Sequence, residues 1–191
     1  MDWKGMYAWV KCKNSFGGDP SKITEAIKGR DASANANSCA ATQVVLGTVI
    51  SPGKENRAIQ SGKDGNYVPI DVAEKISALL DKGNVIYLEV KPNHHFTVIP
   101  LSDKEVSILQ GFQSAYNLAE WINATDGGVM RKSSFLPHLA TLLSSNKDNA
   151  KTSAKALFAF PGVEGPIEAW VDTAWSRYGA VKIAAIGYTE V

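Results

Sequence analysis

Between residues 71 and 83 the apolar positions fall at Val72, Ile76, Leu79 and Leu80, the three- and four-residue spacing that collects side chains on one helix face. Asp71 with Glu74 supplies a capping box and Lys82-Gly83 a stop, so the pattern predicts a helix over 71–81. The period then changes. Residues 84–90 and 94–101 are rich in β-branched and aromatic residues with Pro92-Asn93 between them, and 105–110 follows Ser102-Asp103-Lys104. Three strands joined by two short turns predict an antiparallel meander.

Elsewhere the pattern is less regular. Residues 40–50 mix Ala and Leu with Val44, Val45, Val49 and Ile50; periodicity does not separate helix from strand here, but length and the preceding Ser/Asn residues point to a helix buried on most sides. A short helix is expected over 21–28, and further helices over 117–123, 136–143 and 167–178, the last closed by Gly179. Residues 1–20 read as an aromatic-rich segment packing on the body, 54–67 as a polar surface loop and 144–151 as a polar linker. Short strands are expected over 156–160 and 180–188. The expected class is α+β: a main domain over 1–143, with residues 144–191 as a C-terminal α/β extension packed on the same domain.

Composition removes several classes of function. Twenty basic residues against nineteen acidic ones leave no field to attract nucleic acid, so none is expected as a partner. The longest apolar run is too short for a membrane span, and the first residues lack the basic and apolar regions of a cleavable secretory signal. Cys12 and Cys39 have neither the spacing of a metal pair nor that of a disulfide framework and read as free thiols. With His94, His95 and His138 as the only histidines, no metal site and no cofactor is expected.

The candidate chemistry begins at Cys39, where the polar loop 31–38 meets the apolar segment. In a first helical turn, unpaired backbone N–H groups and the positive end of the helix dipole stabilise a thiolate. A thiol nucleophile needs a base, and the base needs a group that fixes its ring. Side chains alternate along 94–101, so His95, Thr97 and Ile99 share one face and His94, Phe96 and Val98 the other; one histidine alone can face Cys39. Pairing about the turn at Asp103 brings position 95 to position 111. Gln110 is then within one residue of His95, where its carbonyl oxygen would accept the ring N–H. The expected oxyanion donors are the Cys39 backbone N–H and the side-chain amide of Asn35 or Asn37, while Gln43, one turn after Cys39, would line the cleft. Cys12 reads as a packed thiol, His138 as a helix histidine, and Trp170 and Trp175 as packing residues.

A cysteine opening a helix after an Asn/Ser-rich loop, then His95-Phe96-Thr97-Val98-Ile99 and Ile108-Leu109-Gln110-Gly111-Phe112, resembles the papain-like thiol-enzyme superfamily. The resemblance runs from Ser38 to about Trp121. It implies a central N-terminal helix carrying Cys39 on an antiparallel sheet, with Cys39 as nucleophile, His95 as base, Gln110 as orienting residue and Phe112 as the aromatic that shields it. The Cys-Gly-Ser-Cys-Trp and Asn-Ser-Trp signatures of papain-type proteases are absent. The likeness is therefore to the divergent branch of bacterial effectors and toxins, which includes peptidases, amidases, deamidases and transglutaminases. It implies a cysteine hydrolase acting on an amide bond of a protein or peptide, with a protein deamidase or transglutaminase and a non-catalytic binding module as alternatives. It also implies a cognate inhibitor or immunity protein as partner. The location implied is cytoplasmic in the producing cell, or exported without a cleavable signal.

Overall fold

The meander expected over 84–110 forms, and the remaining elements are built onto it. The computed structural model describes residues 4–30, 39–54, 57–58, 69–112, 114, 116–144 and 146–191. In chain order the elements are α1 (Lys4–Phe16), α2 (Ser21–Arg30), α3 (Cys39–Ile50), β1 (Arg57–Ala58), α4 (Pro69–Asp81), β2 (Asn84–Lys91), β3 (His94–Pro100), β4 (Glu105–Gln110), α5 (Tyr116–Thr125), β5 (Val129–Arg131), α6 (Lys132–Leu142), α7 (Lys147–Phe158), α8 (Glu164–Tyr178) and β6 (Lys182–Glu190). The strands form one antiparallel sheet in the order β1-β6-β2-β3-β4-β5. The class is α+β. Among the described residues no helix is long and apolar enough to cross a membrane.

Helices cover both faces of the sheet, and the alternation along β2 and β3 decides which residues meet which layer. Tyr87, Glu89, His95, Thr97 and Ile99 share one face, because Tyr87 pairs with Thr97 and Glu89 with His95. α3 lies on this face: the Tyr87 hydroxyl is 3.7 Å from where a Cβ on Gly47 would stand. α1 lies there too and crosses the end of β3 closely enough that a Cβ at Gly5 would fall 2.0 Å from the Pro100 carbonyl oxygen. Only glycine fits that contact. On the opposite face, His94 and Phe96 pack against Phe158 of α7 and His94 against Trp170 of α8.

Two expectations are corrected, and the N-terminal segment, to which the sequence pattern assigns no element, gains one. Residues 4–16 form a helix, α1, which buries Gly5, Ala8, Cys12 and Phe16 in a three- and four-residue stripe. Residues 147–158 form a single helix, α7, instead of a linker and a strand. Ala150, Ser153, Ala154, Leu157 and Phe158 are buried at helical spacing, and Asn146 caps the start by accepting the Asn149 N–H at 2.9 Å, a cap worth about 1 kcal/mol. The capping box at Asp71 gives way to a helix that begins two residues earlier, at Pro69, a residue favoured in a first turn; Asp71 then lies inside that turn, near the positive end of the dipole.

Residues 144–191 do more than pack on the rest. β6 is an inner strand between β1 and β2, paired with β2 from Asn84↔Glu190 to Lys91↔Lys182. The side chains of Val85, Ile86, Leu88, Ile183 and Ile186 in this pair are buried in the same core as the meander. At the other end, the Trp170 indole N–H donates to the Pro92 carbonyl at 2.5 Å, so α8 holds the tip of the β2–β3 hairpin.

Candidate active site

The two adjacent histidines meet opposite surroundings. His94 is 1 % exposed, inside a cage of Phe96, Phe112, Phe158 and Trp170 with ring centroids 4.5–5.8 Å from its own. Neither of its ring nitrogens has a hydrogen-bond partner among the described residues. Burial pulls its pKa down to about 3, so the ring is a neutral, packed side chain. His95 points to the α3 face. Its Nε2 lies 3.6 Å from Glu89 Oε2, ion-pair reach just beyond hydrogen-bond length. Its Nδ1 is buried with no partner among the described residues. Burial holds the His95 imidazole below its ordinary value, and the Glu89 carboxylate partly offsets that. A neutral imidazole with one nitrogen near a carboxylate and the other unpartnered is set up to accept a proton.

α3 runs towards this pair. In its first half, the Gln43 side chain donates to the carbonyls of Leu88 at 3.2 Å and Phe96 at 3.0 Å. Just past its end, the Ser51 hydroxyl donates to the carbonyl of Glu190, the partner of Asn84 at the start of β2. The helix therefore runs against β2. Cys39, one turn and about 6 Å upstream of Gln43, opens α3 at the end of the sheet that carries Glu89 and His95. The Cys39 side chain, Asn35 and Asn37 lie outside the described residues. The sheet is also irregular here: the β2–β6 register shifts between Glu89 and Val90, so β6 has one extra residue beside Glu89. A bulge there re-aims the strand end, a device common beside functional sites.

Gln110 does not meet His95. The turn at Asp103 gives the expected register, in which Phe96 pairs with Gln110, so position 95 falls opposite Gly111. One residue of offset in a strand is a change of face. Gln110 therefore points with His94 and Phe96 to the opposite side, where its Nε2 donates to the Phe158 carbonyl at 3.1 Å. Phe112 follows the same side: it is buried against His94 and Trp170, away from the face that carries His95. Gln43 is half-buried and its amide nitrogen is committed to two carbonyls, so it fastens α3 to the sheet as well as lining a groove.

The residue that sequence reasoning missed is Glu89. A signal for it was present in the β2–β3 turn: centred on Pro92, it sets position 89 opposite position 95, the arithmetic applied to the following turn. The other thiol, Cys12, is fully buried, with its pKa pushed up to about 12 by desolvation. His138 lies in α6, with Nδ1 3.3 Å from the Ser153 hydroxyl. Among the described residues no three His, Cys, Asp or Glu side chains converge to hold a metal ion. No family model matches the chain, and neither a curated protein nor a solved structure is similar to it.

Proposed function

We propose that the protein is a cysteine hydrolase of papain-like type, in which Cys39 attacks an amide carbonyl of a protein or peptide and His95 is the base. The observation that carries this is the state of His95: on the α3 face, neutral, with Nε2 near the Glu89 carboxylate and Nδ1 buried without a partner among the described residues, at the end of the sheet where α3 begins. Glu89 takes the orienting role in place of Gln110.

The steps follow from these positions. His95 Nδ1 accepts the thiol proton as sulfur adds to the carbonyl carbon, and the developing imidazolium is favoured by Glu89. Negative charge on the tetrahedral oxygen is met by the backbone N–H at the start of α3, with a side-chain amide from Asn35 or Asn37 as the second donor. The intermediate collapses to a thioester as His95 returns the proton to the leaving nitrogen. Water, deprotonated by the same imidazole, then releases the acid and restores the thiol. If the attacked amide is a glutamine side chain, the leaving group is ammonia and the chemistry is otherwise unchanged.

Incubation with mixed polypeptides, read by intact mass, tests this and separates the two outcomes. Cleavage splits a chain, whereas deamidation adds about one dalton. Cys39→Ala and His95→Ala each abolish the change under this proposal. Turnover retained in Cys39→Ala would sink it.

A further inference from the structure

Of the large apolar side chains that the fold leaves exposed, three stand together on α1. Met6, Tyr7 and Val10 are 38 %, 67 % and 39 % exposed and share one helix face, while Gly5, Ala8, Cys12 and Phe16 are buried on the other. Single exposed apolar side chains are ordinary, but a contiguous set beside a groove marks a contact surface. A groove of about 370 Å³ runs between α1 and the end of α3, with Tyr7 on one wall and Val49, Ile50 and Pro52 on the other.

The side-chain charge around this groove has one sign. Lys4 and Lys11 stand at its rim, and neither is ion-paired among the described residues. Two helical turns put them about 10 Å apart along α1, with Tyr7 between them. α1 and α3 together contain no Asp or Glu, and α1 opens on Lys4, so the positive end of its dipole adds to the field. Lys11 lies over the Tyr7 ring, 4.8 Å from its centroid, which steadies the ring without neutralising the ammonium. Lys13, the third lysine of α1, is taken by Asp126 at 3.4 Å. Val191 also borders the groove, but its main-chain oxygen accepts from Lys54. Glu190, one residue earlier on β6, points to the other side of the sheet.

We infer that this groove docks an acidic amphipathic helix of a partner protein, whose apolar side chains enter against Tyr7 and Val49 while two carboxylates pair with Lys4 and Lys11. A helix presents carboxylates two turns apart with apolar residues between them, matching the spacing of the two lysines. A flat anionic bilayer would meet the convex ridge of α1 and leave the recessed Ile50 and Pro52 untouched. The groove lies at the far end of α3 from Cys39, about 15 Å away along the helix, so docking leaves the proposed active site uncovered.

The test is an NMR titration of the full chain that follows the backbone amides of Tyr7, Lys11 and Val49. The probes are N-acetylated, amidated helical peptides of about 18 residues in which leucine pairs lie between glutamates spaced by seven, and matched peptides with lysine in place of glutamate. The glutamate peptide is expected to shift these amides, less so as salt is added, and the lysine peptide to leave them unmoved. Lys4→Glu together with Lys11→Glu weakens the glutamate peptide roughly tenfold and admits the lysine peptide. Tyr7→Ala weakens the glutamate peptide roughly fivefold. All three positions are exposed, and unchanged urea midpoints show that the variants fold. Equal binding of the two peptides, no shift with either, or a glutamate-peptide affinity untouched by the charge reversal would each overturn the inference. Shifts at these amides on concentrating the protein alone would assign the face to a second copy instead. Binding to phosphatidylglycerol vesicles that the charge reversal abolishes, with no response to the glutamate peptide, would assign it to a membrane.

Discussion

Glu89 and His95 stand directly opposite each other across β2 and β3, with Oε2 3.6 Å from Nε2. The pair is fixed by a hairpin turn three residues from each, and by Trp170, which bonds the Pro92 carbonyl at the tip of that turn. A directly opposed carboxylate and imidazole on one face is the cross-strand arrangement in which opposite charges support each other. With Nε2 turned to Glu89, Nδ1 is the nitrogen left for chemistry.

Replacing Glu89 by Gln removes the charge and nearly keeps the shape. The carboxylate raises the His95 pKa, so its loss lowers that value further, and the acidic limb of kcat/KM moves to lower pH. Since the Glu89 side chain is 41 % exposed, kcat/KM falls by roughly ten- to a hundredfold, less than for a buried triad carboxylate. An NMR titration of the His95 ring checks the direction; an unchanged or raised pKa contradicts it.

Gln110→Ala provides the contrast. It removes the donor to the buried Phe158 carbonyl, which should cost roughly 1–3 kcal/mol in urea unfolding. The His95 titration should stay where it is. A shift there would mean that Gln110 reaches His95 after all.

The meander and its register were legible because alternation, turn residues and β-branched content agree over 84–110, and there the strands fall within two residues of expectation. The expected contact between Gln110 and His95 was lost by one position, since a strand's period of two converts the smallest offset into the opposite face; both Gln110 and Phe112 went astray that way. The N-terminal helix was hidden because its buried stripe consists of Gly5, Ala8, Cys12 and Phe16, where small residues give little hydrophobic contrast. The inner place of β6 could not be read at all. Which strand lies beside β2 depends on non-local pairing, and no turn links β6 to β2 in sequence.

Burial of the neutral His94 ring makes stability depend on pH. The ring is neutral in the folded protein down to a pKa of about 3, whereas in the unfolded chain it takes up a proton near 6.5. Below that value the unfolded state binds the extra proton. Stability then falls with falling pH by up to about 1.4 kcal/mol per unit, until the folded ring protonates. His94→Phe removes this contribution, so its unfolding free energy should decline less between pH 6.5 and 4 than that of the parent. Parallel slopes for the two proteins would show that His94 is not the group responsible.

Trp170→Phe keeps an aromatic ring against His94 and Phe158 but deletes the donor to the Pro92 carbonyl. A cost of about 1–2 kcal/mol in urea unfolding is expected, together with faster amide exchange at His94 and His95. Faster exchange confined to α8 would place the effect elsewhere.

Whether Cys39 is an activated thiol served by His95 is read directly from the pH dependence of its alkylation by iodoacetamide. Mass mapping separates it from Cys12, whose buried thiol should not react in the folded protein. The Cys39 midpoint is expected well below the unperturbed value of about 8.5, rising towards it in His95→Ala. A midpoint near 8.5 that His95→Ala leaves unmoved would show that Cys39 is an ordinary thiol.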